Sequence, residues 1–108
     1  MIALLAAAVL AIDPAEADAI ASRLIGQRFT IAADRRSITI DDVAGLGPPE
    51  VGVVERRGDA LYLGTHELTG PLARPRLAGP GYTIWVIGDV APDGSLEIKR
   101  LGVLRRPR

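Results

Sequence analysis

The stretch that decides the fold of this 108-residue chain is residues 82–104, which read YTIWVIGDVAPDGSLEIKRLGVL. Its first six residues are apolar on both faces of an extended chain, which predicts a central β-strand over residues 82–90. The Pro-Asp-Gly sequence at 92–94 predicts a tight turn, because proline presets φ and glycine accepts the left-handed conformation. Residues 96–104 then return as the partner strand. Their apolar alternation shifts by one residue near Arg100, which predicts a β-bulge.

Apolar and polar residues also alternate upstream of this hairpin, with the period of two that is typical of strands. Four further strands are predicted: residues 27–32, 37–43, 51–55 and 60–68. Polar turns at 33–36 and 56–59 separate the members of each pair, whereas the Gly- and Pro-rich segment at 45–49 ends the first pair. Residues 69–81 contain three prolines and predict the longest loop.

A short helix is predicted over residues 18–25, before the first of these strands. Ile20, Ala21, Leu24 and Ile25 fall on one face at helical spacing. The chain contains 12 glycines and 8 prolines, and this high content favours many turns over long helices. The fold class predicted is mainly β: a short N-terminal helix followed by a small barrel of five to six strands, or alternatively an open sandwich or α+β arrangement.

The N-terminal end predicts a signal peptide over residues 1–17. An unbroken apolar run occupies residues 1–12 and is followed by Ala15-Glu16-Ala17, the small-x-small pattern read by signal peptidases. The run is too short to span a bilayer. Cleavage after Ala17 leaves residues 18–108 as a single β-barrel domain, located in the periplasm or secreted, with no transmembrane span.

The alternative interpretation is that the apolar run is a buried N-terminal helix of the domain itself. Asp13, Pro14 and Glu16 have the spacing of an N-cap, a first helical position and the third residue of a capping box. They predict the start of a second helix that ends before Gly26. The lack of Lys or Arg ahead of the apolar run also departs from the usual pattern of signal peptides.

The second half of the chain resembles the bacterial periplasmic OB-fold proteins known as BOF domains. The motifs that carry this resemblance cover about half of the chain: Gly52-Val53-Val54-Glu55-Arg56, Asp59-Ala60-Leu61-Tyr62, Ile84-Trp85-Val86-Ile87-Gly88-Asp89-Val90, Asp93-Gly94-Ser95 and Leu96-Glu97-Ile98. The resemblance implies an OB-like barrel and a binding module but names no ligand. An SH3-like barrel remains the other small-barrel alternative. The Pro-rich residues 71–80 depart from the family pattern.

The sequence contains few residues that could act as catalytic groups. Cysteine is absent, and His66 is the only histidine, which we interpret as a surface residue of a strand. Asp41 and Asp42 are adjacent on a strand and point to opposite faces, so we interpret them as part of a turn. Arg57-Gly58-Asp59 is interpreted as a turn between strands. The sequence therefore predicts a protein that is not an enzyme, with no cofactor and no metal site.

Basic and aromatic residues suggest where a partner would bind. Five basic residues and one acidic residue lie between Glu97 and the C-terminus. Such a basic end can contact an acidic surface. The candidate binding residues are Tyr62, Arg74, Arg76, Trp85, Arg105 and Arg106. The leading hypothesis is an exported, non-enzymatic module that binds a protein or cell-envelope component, with nucleic acid an unlikely partner; the alternative is an intracellular OB-type domain that binds single-stranded nucleic acid.

Overall fold

The computed structural model describes residues 8–107 and is mainly β, with 48% of residues in strands and 9% in helical segments. The elements in chain order are β1 (Ala8–Ala11), a 3-10 turn (Pro14–Glu16), α1 (Ala17–Ser22), β2 (Arg28–Ile31), β3 (Ser37–Asp42), β4 (Glu50–Arg57), β5 (Ala60–Leu63), β6 (His66–Thr69), β7 (Thr83–Val90) and β8 (Leu96–Arg105). They form two compact units, which divide between Pro49 and Glu50. The predicted fold class is confirmed: a mainly β chain with a short helix ahead of a barrel.

The N-terminal unit contains a three-stranded antiparallel sheet in the order β1-β3-β2. The predicted hairpin over residues 27–43 is confirmed as β2 and β3, with Phe29 opposite Ile40. The structure differs from the expectation in two respects. Residues 8–11 of the predicted leader form a strand paired with β3, and the hairpin belongs to this sheet and not to the barrel.

The segment between β1 and β2 follows its capping pattern closely. Asp13 accepts a hydrogen bond from the backbone N–H of Ala15, and Glu16 accepts one from the backbone N–H of Asp13, as the capping box requires. On the helix, Ile20 is buried. Ile25, which was predicted on the same face, is 80% exposed. The reason is that α1 ends at Ser22, so the helical period no longer places Ile25 beneath Ile20.

The C-terminal unit is a closed five-stranded barrel in the order β4-β5-β6-β8-β7, with β7 pairing back onto β4. All of its ladders are antiparallel except that between β6 and β8, which is parallel. The predicted central strand is confirmed as β7, which lies between β4 and β8. The barrel interior is lined by Val54, Leu61, Leu63, Leu68, Ala78, Ile84, Val86, Leu96 and Ile98, all buried. No helix within residues 8–107 is long and apolar enough to cross a bilayer.

The prediction of one strand over residues 60–68 is wrong, because the segment folds back on itself as β5 and β6. A two-residue turn at Gly64-Thr65 places Leu63 opposite His66, and Gly64 adopts a φ of 63°. Glycine tolerates this left-handed conformation, which makes the reversal possible. From residue 28 onward the described residues therefore contain seven strands where six were predicted, and β1 in the predicted leader is an eighth.

The closing hairpin follows the prediction in detail. The register between β7 and β8 shifts between the pairs Ile87–Arg100 and Gly88–Ile98, which leaves Lys99 as the extra residue of a bulge. A Cβ on Gly88 would overlap the backbone carbonyl of Glu97. Glycine at 88 is thus what allows the two strands to approach at the bulge.

Candidate functional site

Tyr62 lies on β5 and is half-buried on the outer face of the barrel, opposite Glu55 of β4. The guanidinium of Arg57 sits over its ring, 4.6 Å from the ring centre, and donates a hydrogen bond of 2.7 Å to Glu55. Cation–π contact therefore occupies one face of Tyr62. That face is not open to a stacking ligand.

Trp85, a candidate binding residue, is largely buried, since only 9% of the residue is accessible. On β7 it lies opposite Val51 of β4 on one side and Gly102 of β8 on the other. A Cβ on Gly102 would overlap the indole, so the ring lies directly over the backbone of β8. The missing side chain at 102 is the physical reason that the indole lies flat on the sheet.

Tyr62 and Trp85 are candidate binding residues that lie apart along β4. Their cross-strand partners on β4 are Glu55 and Val51, four residues apart. At a rise of about 3.3 Å per residue, the separation along the strand is about 13 Å. Whether the two residues contact one partner remains a prediction.

The four basic candidate binding residues lie in two segments of the chain, which contact each other at one point. Arg74 and Arg76 are exposed in the loop between β6 and β7, whereas Arg105 is half-buried at the end of β8 and Arg106 is exposed. A Cβ on Gly81 would lie 3.0 Å from Pro107, so the end of the loop contacts the C-terminal segment. A basic surface shared by the loop and the C-terminal segment remains a prediction.

The structure adds a feature that the sequence did not indicate, a cleft of about 420 Å³ in the barrel wall. The lining residues come from β4 and from the β5–β6 turn: Glu50, Val51, Gly52, Val53, Glu55, Leu63, Gly64, Thr65 and His66. The cleft is open to solvent and combines apolar with acidic side chains. None of the six residues proposed from the sequence lines it.

The cleft exists because β4 changes partner along its length. Residues 50–53 pair with β7, and residues 54–57 pair with β5. β5 ends at Leu63, opposite Val54, and the chain then turns away at Gly64. Within residues 8–107 no strand pairs with residues 50–53 of β4 on the β5 side.

The backbone of β4 aims polar groups into this gap. The N–H of Val54 donates to Tyr82, and its C=O accepts from Gly81, so both groups of Val54 face β7. Because successive residues of a strand point their backbone groups to alternate edges, those of Val51 and Val53 face the cleft. Val53 is also 48% exposed, which is high for an apolar residue in a barrel strand.

The electrostatics of the cleft are acidic. Glu50 and Glu55 are both exposed, and no lysine or arginine lines the cleft. Glu55 is already paired with Arg57, whereas among the described residues Glu50 has no ion-pair partner. The carboxylate of Glu50, the first residue of β4, therefore lies at one end of the cleft without a cation to pair with among the described residues.

His66 closes the cleft on the side of the β5–β6 turn. Its Nδ1 lies 2.7 Å from the carbonyl oxygen of Gly94, and since a carbonyl only accepts, Nδ1 carries the proton. The contact fixes the ring to the turn between β7 and β8. Of the residues described, no three histidine or acidic side chains converge to hold a metal ion.

The prediction that Asp41 and Asp42 belong to a strand-ending turn is confirmed for Asp42, the last residue of β3, whereas Asp41 lies within β3. Asp42 accepts hydrogen bonds from the backbone N–H groups of Gly45 and Gly47, while Asp41 accepts one from the Thr30 hydroxyl. The two carboxylates thus bond to different elements.

Comparison with known proteins gives no relative: no family model, no curated protein and no solved structure matches this chain.

Proposed function

We propose that this protein is an exported, non-enzymatic binding module, and that its barrel holds an extended peptide segment of a partner protein in the cleft beside β4. The barrel is interpreted as OB-like. Parallel pairing of its third and fifth strands, β6 and β8, supports that interpretation, because an up-and-down meander produces only antiparallel neighbours.

The observation that carries the proposal is the uncovered edge of β4 at Val51 and Val53. Backbone groups at a strand edge form a ready template for another strand, and peptide recognition by strand addition uses them for affinity. A peptide placed here would continue the path that β5 leaves at Leu63. It would therefore complete the ladder along β4 without displacing any strand of the barrel.

The cleft also offers side-chain contacts beside that edge. Val51 and Val53 present apolar side chains on the same face of the sheet, and the short turn at Gly64-Thr65 leaves room beside them. Alternate side chains of an added strand meet alternate faces of the sheet, which gives such sites their specificity. A volume of about 420 Å³ is in the range of ligand-binding clefts.

Single-stranded nucleic acid, the alternative hypothesis, is less well supported. Binding of this kind combines a basic groove with aromatic rings on which bases stack. In this barrel the cleft is acidic, Trp85 is buried, and one face of Tyr62 is covered by Arg57. We therefore do not propose it.

Selection from a library of random linear peptides, followed by hydrogen-exchange NMR of the complexes, tests the binding proposal. Bound peptides are expected to slow exchange of the amides of Val51 and Val53, while the amide of Gly52, which already faces β7, changes little. Failure to select any peptide, or protection confined to β5 and β6, would contradict the proposal.

A matched pair of variants separates the edge from the fold. Val51→Pro removes the one N–H of residue 51 that faces the cleft and leaves the ladder with β7 intact, since proline is tolerated where a donor points away from the sheet. Val51→Thr retains that donor. Loss of peptide binding in Val51→Pro but not in Val51→Thr is the expected result.

Export is tested separately, by cell fractionation and sequencing of the mature N-terminus. A periplasmic or secreted protein that starts at Asp18 is expected from the leader. Recovery of the protein in the cytoplasm with Met1 intact would overturn this part of the proposal and leave the peptide site unaffected.

A further inference from the structure

We infer that the peptide held beside β4 carries a lysine or arginine, which pairs with Glu50. The inference rests on the proposed function and adds the chemistry of the partner. It comes from the charges of the cleft and from the strand register beside Glu50.

Glu50 is the carboxylate with the freedom to form this pair. Glu50 and Glu55 bracket the uncovered edge, one residue before Val51 and two residues after Val53. The carboxylate of Glu55 accepts a 2.7 Å hydrogen bond from Arg57, which is also held over Tyr62. A cation added to the cleft would therefore compete with Arg57 at Glu55 but meets no resident cation at Glu50.

The sheet geometry brings a peptide side chain to Glu50. Glu50 is paired with Val86 on the β7 side, so an added strand would place a residue on its other side, as β5 does for Val54 through Leu63. Directly opposed residues of neighbouring strands have Cβ atoms about 4.5–5.5 Å apart, close enough for an ion pair. Opposite charges in this position stabilise strand pairing, whereas like charges oppose it.

The magnitude expected is modest because Glu50 is exposed. Cross-strand charge pairs contribute about 0.2–1 kcal/mol, so replacing the cationic residue is expected to weaken binding by up to about fivefold. The preference for a cationic peptide should decrease as the salt concentration rises, since exposed charges are screened within about 8 Å at physiological ionic strength. Charge thus selects among peptides, and the backbone edge supplies most of the affinity.

The probes are three blocked, fluorescein-labelled heptapeptides of alternating threonine and valine, whose central residue is lysine, glutamine or glutamate. Fluorescence polarisation with the full-length protein at low salt is expected to rank them lysine, glutamine, glutamate. In Glu50→Gln the lysine peptide should bind more weakly, by up to about fivefold, and the affinity for the glutamine peptide should be unchanged. Glu67→Gln is the control, since Glu67 is an exposed carboxylate on β6 that does not line the cleft.

The outcomes separate the two proposals. Equal binding of all three peptides, together with an unaltered Glu50→Gln variant, overturns the charge inference and leaves strand addition intact. An equal loss in Glu50→Gln and Glu67→Gln also overturns it, because the effect is then one of overall charge. If none of the three peptides binds, or if Val51→Pro binds them as the unmodified protein does, strand addition fails and the charge inference fails with it.

Discussion

The two units of this chain handle strand edges in different ways. In the barrel, every strand has a neighbour on each side, and the gap beside residues 50–53 of β4 interrupts an otherwise continuous ring. In the N-terminal unit, three strands form an open sheet in which β1 and β2 are both edges. Closure pairs the barrel strands on both sides except at this gap, whereas the open sheet leaves two whole strands as edges.

The two units also differ in whether the predicted leader supplies any of their strands. β3 lies at the centre of the open sheet, with Ile38 and Ile40 fully buried. One of its two neighbours, β1, is built from residues 8–11, within the predicted leader. All five barrel strands lie after residue 49. Removal of the leader would therefore change the first unit and leave every strand of the second in place.

The largest expected effect comes from deleting residues 2–17, which removes β1 and the buried side chains of Ile12 and Ala17. The loss of a strand and of one large buried apolar side chain is expected to cost about 3 kcal/mol in the local stability of the open sheet. Native-state hydrogen exchange should then accelerate about 100-fold for the amides of β3. Exchange in β7 and β8 should change by less than about threefold.

Val9→Ser is the control for this deletion, because Val9 belongs to β1 but is 61% exposed. Its exchange rates should stay close to those of the unmodified protein. Equal acceleration in both units after the deletion would show that the barrel depends on the N-terminal segment, and the contrast between the units would be lost.

A smaller and more local effect is expected inside the barrel, at Gly88. Gly88→Ala places a Cβ against the carbonyl of Glu97 at the β8 bulge, where backbone cannot yield cheaply. Overpacking of this kind costs about 1–3 kcal/mol, and urea unfolding should show it. Gly52→Ala is the matched control in β4, since its Cβ would meet only the side chain of Leu63 at 3.2 Å. Equal destabilisation by the two variants would mean that the bulge can relax.

The smallest expected effect is at the turn that joins β7 to β8. Hydrogen bonds from the hydroxyl and backbone N–H of Ser95 lower the pKa of Asp93 below its usual 3.8. Because the folded pKa lies below the unfolded one, the stabilisation is present above pH 3.8 and is lost as the pH falls through the folded value. Asp93→Ala should lower the Tm by no more than about 2 °C at pH 7. The difference in Tm between Asp93→Ala and the unmodified protein should vanish on acidification. A difference in Tm that grows as the pH falls would contradict the stabilising role of the Asp93 carboxylate.

Local patterns predicted much of the closing hairpin, and the reason is that its determinants are close together in the sequence. The Pro-Asp-Gly turn, the shift near Arg100 and the central position of β7 all follow from residues 82–104. The turn at Gly64-Thr65 was missed because the run from 60 to 68 has enough apolar residues to read as one strand. A glycine inside a predicted strand was the available indication.

Partner choice between distant strands could not be predicted from periodicity. The alternation in residues 27–43 indicates strands but does not say which sheet they join, and the apolar residues 8–11 fit a leader, a helix or a strand equally well. The cleft was missed for the same reason. The cleft forms because β4 pairs with β7 up to Val53 and with β5 from Val54 onward. No local sequence pattern indicates this change of partner. The burial of Trp85 could not be predicted locally because the glycine beneath its ring, Gly102, lies on another strand.

The parallel ladder between β6 and β8 has a consequence for the order of folding. It consists of two residue pairs, Leu68 with Leu96 and Thr69 with Glu97, which are 28 residues apart in the chain. The hairpin of β7 and β8 closes over a short turn, whereas this ladder must bring together the ends of a long segment and pays a larger loop-closure entropy. Circularisation of the barrel is therefore expected late in folding, and until then β6 and β8 would each have an unpaired edge that another chain could join.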